Sequence, residues 1–163
     1  MGTRNLTKVI DKDNVTRVAQ YGQWDGYPEY TGKRILEFIS EFNMLAKIEK
    51  SLGKAEFVSD EYVKQVYDKM NSDEDFSIAY PSLTRDTGCD ILKVLFYSNG
   101  PVPIVDSSTF EEDDLFCEGV YTLNYNSRTF TSTYNGVTVS VEFGKLPTVE
   151  EYLKSFETLL TNA

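Results

Sequence analysis

The sequence predicts an α+β fold: one antiparallel sheet of about five strands, packed by three to four helices. Three observations carry this. β-rich runs fall into two groups, an N-terminal hairpin and a C-terminal three-strand meander. Between and after them, apolar residues recur at helical spacing. The chain has 163 residues, 40% hydrophobic and 13% aromatic, enough to bury one substantial core, so residues 1–163 read as a single globular domain.

In chain order, LTKVI and VTRVAQY are the first two strands, with Asp11, Lys12, Asp13 and Asn14 as turn-formers between them. The aperiodic stretch AQYGQWDGYP, residues 19–28, follows. From Thr31 or Gly32 to Ser51, the residues Ile35, Leu36, Phe38, Ile39, Phe42, Leu45 and Ile48 predict one helix, which Gly53 ends. Ser59 caps a second helix carrying Val63, Val66, Tyr67 and Met70 on one stripe, and NSDED ends it. A third helix starts near Asp86 or Thr87, runs through Ile91, Leu92 and Leu95, and stops before Asn99-Gly100-Pro101. An acidic EEDD loop leads into the strands CEGVYTLNY, RTFTSTY and VTVSVEF, turned by NSR and by Asn135-Gly136, whose residues tolerate the positive φ of a tight hairpin. Thr148 and Glu151 make a capping box, opening a last helix with Tyr152, Phe156, Leu159 and Leu160 inward.

Composition removes several function classes. The formal charge is −10, from 26 acidic and 16 basic residues, which argues against a nucleic-acid polymer as partner. Apolar runs such as ILKVLF are too short for a membrane span, and the start lacks a signal-peptide layout, so a cytoplasmic protein is expected. MGTRNLT has Leu6 where a myristoylation signal needs serine or threonine. With no histidine, the commonest metal ligand and general base are missing, and Cys89 and Cys117 lack zinc-ligand spacing. No cofactor or metal is expected, and the oligomeric state is left open.

The candidate ligand-binding residues fall into three groups. In AQYGQWDGYP, the strand must stop pairing at Gly22, Asp25-Gly26 and Pro28, which puts Gln23, Trp24 and Tyr27 at the end of the sheet. Trp24 offers a flat apolar surface, Tyr21 and Tyr27 offer phenols, and Gln20 and Gln23 each offer a donor and an acceptor for the edge of a planar polar ligand. Asp25 suits a ribose hydroxyl or a bond back onto its own loop. The competing reading is a turn with a core-plugging tryptophan. In SLTRDTG, Arg85 is the anion contact of a helix N-terminus with Asp86 as a site residue, or else Asp86 or Thr87 is simply the cap and Arg85 pairs with a nearby acid. Arg4 and Glu118 complete the set: a partly buried Glu118 needs a cationic partner, and Arg4 or Arg85 would supply it. The two cysteines read as core residues.

MGTRNLT, AQYGQWDGYP, RDTG and FCEGVYTLNY together resemble a family of small phage, bacterial and fungal proteins that start Met-Gly-Thr-Arg and share the Gln-Tyr-Gly-Gln-Trp-Asp-Gly-Tyr-Pro segment. Members often carry His and Trp where this chain has Thr87 and Gly119. The resemblance implies a family and brings no activity with it. Stacking aromatics, amides and arginines without an evident base predict a small-molecule, nucleotide-like ligand. The family's occurrence in phages adds the expectation of a counter-defence protein, in the host cytoplasm, sequestering a nucleotide immune signal. Two alternatives stand beside it: a histidine-free hydrolase or transferase using Asp25, Asp86 and Glu118, and an acidic inhibitor that binds a basic protein.

Overall fold

The computed structural model describes residues 2–161. Along them run β1 (Asn5–Ile10), β2 (Thr16–Gly22), α1 (Lys33–Ile39), α2 (Met44–Ser51), β3 (Ala55–Val58), α3 (Asp60–Lys69) and α4 (Phe76–Ala79). Then follow α5 (Ile91–Tyr97), β4 (Val102–Val105), β5 (Gly119–Asn124), β6 (Thr129–Tyr134), β7 (Val137–Glu142) and α6 (Val149–Thr161). The fold is α+β. Five strands form one mostly antiparallel sheet in the order β2-β1-β5-β6-β7.

The hairpin and the meander meet where β1 pairs with β5, and this junction is parallel, from Asn5 opposite Gly119 to Ile10 opposite Asn124. A parallel pair needs a long crossover, and the segment holding α1 to α5 provides it. A second sheet pairs β3 with β4, also parallel. Its two four-residue strands, AEFV and VPIV, are too short for sequence periodicity to reveal.

The helices differ from expectation at several points. The helix expected from Thr31 to Ser51 is interrupted: a wide turn at Pro28–Gly32 precedes α1, and α1 and α2 are separated at residues 40–43. Ser40 folds its hydroxyl back onto the Leu36 carbonyl, at 2.6 Å, and Asn43 takes the left-handed conformation with φ 56°. Phe42, one of the periodic residues, is left 83% exposed at the break. The third helix starts later than Asp86 or Thr87, because Gly88–Asp90 first makes a tight 3-10 turn with Gly88 at φ +49°. In α6 the capping box forms as expected: Thr148 Oγ1 accepts from the Glu151 N–H at 3.1 Å, and Glu151 Oε1 from the Thr148 N–H at 3.2 Å. Leu159 and Leu160 are nevertheless exposed, since α6 carries its apolar stripe beyond the core.

The core lies between the helices and one face of the sheet. Tyr121, Phe130, Tyr152 and Phe156 are its largest fully buried side chains, and the Tyr152 hydroxyl donates to Ser132 Oγ at 2.7 Å. Residues 108–117 hold to the sheet through Tyr21–Phe110 ring contact at 5.0 Å and a Lys8–Glu111 ion pair at 2.7 Å. Ser59 caps α3 as expected, by accepting from the Tyr62 N–H at 3.1 Å. Yet α3 and α4 bury no side chain, and Tyr67 of the expected stripe is exposed.

Candidate functional site

The chain leaves β2 at Gly22 and is pinned immediately. Asn5, fully buried on β1, directs its amide nitrogen to the carbonyls of Thr3 (3.2 Å), Gly22 (3.3 Å) and Trp24 (3.1 Å). Backbone bonds add Gly26 N–H to Thr3 O and Gln23 N–H to Arg85 O, both at 2.9 Å. The buried Tyr121 phenol donates to Gly26 O at 2.6 Å, and Thr31 Oγ1 donates to Asp25 O at 2.7 Å. Burial also pushes the Tyr121 pKa far above the ordinary phenol value, keeping it a donor. At Gly26 a Cβ would sit 2.7 Å from both Asn5 Cβ and Thr3 O, so only glycine fits. Asp25 is held at φ 54°. A loop with this many fixed backbone groups is rigid, and it presents its side chains at fixed positions.

Trp24 is 51% exposed, so it does not plug the core. One part of its indole lies against the Gly2 backbone, and its Nε1–H donates to Asp86 Oδ1 at 2.7 Å. Beside it is a recess of about 210 Å³, whose lining includes Trp24, Asp25, Tyr30, Arg34, Asp86 and Asp90. Arg34 donates to Asp90 Oδ1 at 2.6 Å, and its guanidinium lies 5.2 Å from the centroid of the Tyr30 ring. The Asp90 carboxylate raises the Arg34 pKa above that of an ordinary arginine. Asp25 accepts from the Tyr27 hydroxyl at 3.1 Å, which raises the phenol pKa by favouring its protonated form. Three carboxylates against one guanidinium make the recess rich in acceptors.

Four sequence-predicted residues therefore meet at this recess: Gln23, Trp24, Asp25 and Asp86. Gln20, Tyr21 and Arg85 line a neighbouring hollow of about 290 Å³, together with Ser82 and Thr84. Gln20 is buried there and donates to the Ser82 carbonyl at 3.2 Å, while the Tyr21 hydroxyl donates to Gln23 Oε1 at 2.6 Å. Tyr27 stays on the loop as the partner of Asp25. Arg4 and Glu118 line neither hollow, and the expected cationic pairing of Glu118 does not form: its Oε2 accepts from the Arg4 backbone N–H at 3.1 Å, while the Arg4 guanidinium lies 4.7 Å from the Phe116 ring centroid. The cation that lines the recess beside Trp24 is Arg34, and neither Arg4 nor Arg85 does so. The sequence signal for Arg34 was its spacing four residues after Tyr30 at a helix start, which places both on one face.

No protein-family model, curated protein or solved structure matches the chain. Among the described residues, no group of three His, Cys, Asp or Glu side chains is arranged to hold a metal ion, and no helix is long and apolar enough to cross a membrane. Both thiols are pushed up to about 11: Cys89 by burial and then by Asp90, Cys117 by burial and then by Glu111 and other nearby acids. Neither is a ready nucleophile near neutral pH.

Proposed function

We propose that this protein binds a small nucleotide-like ligand, with the base in the recess beside Trp24. The single observation that carries this is the half-exposed indole, locked by Asp86 and facing a recess instead of sealing the interior. A locked aromatic surface binds a planar group without losing its own rotamer freedom on binding.

The recess, at about 210 Å³, is small beside typical ligand pockets of roughly 300–1,000 Å³, which suits one base and no more. Asp25, Asp86 and Asp90 favour a group rich in N–H donors and disfavour a phosphate inside the recess. Arg85 lines the hollow next door and is adjacent in sequence to Asp86, so a phosphate follows the sugar towards Arg85. The protein is, in this reading, a ligand sponge. Its role as a phage counter-defence protein sequestering a host nucleotide signal is the biological form of the same proposal, and rests on the sequence resemblance.

Trp24 is the sole tryptophan, so its fluorescence reports directly on the recess. Titration with mononucleotides, cyclic nucleotides and linear dinucleotides is expected to give saturable quenching for at least one, matched by calorimetry. No quenching and no heat with any of them overturns the proposal.

A further inference from the structure

The five-stranded sheet ends at β7, and its two edges are treated differently. The β2 edge is covered: the Ser107 N–H donates to Ala19 O at 3.1 Å, and the Gln23 N–H just beyond β2 donates to Arg85 O. β7 has no such cover among the described residues. Tyr134 and Val137 flank the two-residue Asn135-Gly136 turn, with φ 49° and 78°, and form the first pair of the β6–β7 ladder. In such a hairpin the flanking pair exchanges its N–H and C=O groups, and every second pair after it does the same. Val137, Val139 and Val141 therefore bond to β6, and the backbone groups of Thr138, Ser140 and Glu142 point outward. The close side-chain approaches of Thr133 to Thr138 and Thr131 to Ser140, both 3.0 Å, are those of the non-exchanging pairs and agree with this phase.

An open edge is commonly guarded by lysine, proline or a bulge. VTVSVE contains none of them, and its register with β6 runs without a shift from Thr129–Glu142 to Tyr134–Val137. We propose that this edge pairs with the β7 edge of a second copy of the chain, antiparallel about a two-fold axis at Ser140, making one ten-stranded sheet.

The sequence of β7 is self-complementary in that register. Ser140 meets Ser140 of the second copy, Thr138 meets Glu142, and Val139 meets Val141, so all three outward-bonding residues of each copy find partners. Faces also match, because residues directly opposite in an antiparallel pair share a face. The strand's one charge, Glu142, falls opposite threonine and not opposite itself. The same axis placed on Val139 would set Glu142 against Gly136 in the turn and leave its backbone groups incompletely paired. Each copy carries a formal charge of −10, so association is opposed at long range and strengthens as salt screens it.

Sedimentation velocity on the full chain, at concentrations up to about 1 mM and at low and high salt, tests this. A concentration-dependent dimer, tighter at high salt, is expected. Ser140→Pro removes an outward N–H and leaves the β6 ladder intact, and Ser140→Lys sets like charges opposite each other at the axis. Each weakens the dimer at least about tenfold. Circular dichroism confirms that they fold. Ser140→Cys sits roughly 5.5 Å from its mate between Cα atoms, within disulfide range, and is expected to crosslink on oxidation where the native chain does not. A monomer throughout, or a dimer indifferent to both Ser140 substitutions, overturns the inference.

Discussion

The Trp24 indole N–H and the Asp86 carboxylate, 62 residues apart in the chain, meet at 2.7 Å and join the end of β2 to the segment before α5. That bond turns an exposed aromatic into a wall of fixed orientation. It also links the recess to the neighbouring hollow, because Arg85 precedes Asp86 and its carbonyl takes the Gln23 N–H.

Removing the wall separates a ligand role from a core role. Trp24→Ala is expected to fold with a loss of about 1 kcal/mol, since half the side chain already faces solvent, and to lose nucleotide binding. Asp86→Asn retains an acceptor and keeps most binding, while Asp86→Ala frees the indole and weakens it. Urea unfolding and calorimetry read the two effects independently. Global unfolding of Trp24→Ala would instead identify a core residue.

Asn5 holds the loop from behind. Asn5→Ala deprives three carbonyls of their shared donor and opens a void beneath Gly22 and Gly26. A loss of roughly 2–4 kcal/mol is expected in urea unfolding. Binding should fall too, even though Asn5 does not line the recess.

Recess charge has its own signature. Arg34→Met breaks the pair with Asp90 and removes the cation over Tyr30. If the donor-rich base is held by the carboxylates, binding of amine-bearing bases such as adenine is retained within about tenfold while the fold loses about 1 kcal/mol. Arg85→Ala, in the adjoining hollow, is expected to weaken phosphorylated ligands selectively against the free nucleoside. Competition titrations against Trp24 fluorescence separate these cases.

The first hairpin makes stability depend on acid. Asp11 accepts from Arg17 Nε at 2.7 Å, and also from the Val15 and Asp13 N–H groups, and these bonds hold its carboxyl below the usual value, with Arg17 first. A carboxyl whose folded pKa is lower than its unfolded one stabilises fully above the unfolded value, about 3.9, and ceases to as pH falls through the folded value. The stability difference between native protein and Asp11→Asn should therefore be constant near neutrality and shrink below about pH 4. Urea midpoints from pH 7 to pH 2.5 check this.

Thiol chemistry should be slow. With Cys117 pushed up to about 11, its thiolate fraction at pH 8 is on the order of one in a thousand. Reaction with a disulfide reagent is expected to accelerate steadily to pH 10, with Cys89 responding only after denaturation. Fast labelling at pH 7 would contradict both burial and charge at these sites.

Much of the architecture was legible in local pattern. Alternation in VTVSVEF, Asn135-Gly136 and the Thr148–Glu151 box each encode their structure within a few residues, and each formed as read. The helix from Thr31 to Ser51 misled because apolar periodicity continued through Phe42, while the break lay in Ser40 and Asn43, whose backbone preferences periodicity does not report. β3 and β4 were illegible, as four-residue strands exist only through their pairing.

For the site, the sequence alone determined that an aromatic, glycine-broken corner would stand at the end of β2, because Gly22, Asp25-Gly26 and Pro28 cannot continue a strand. Only the tertiary structure decided which cation joins it. The parallel β1–β5 junction sends Arg4 towards Phe116 and Glu118, and the crossover brings Arg34 and Asp86 to Trp24. Such pairings depend on the placement of segments far apart in the chain, which no local preference encodes.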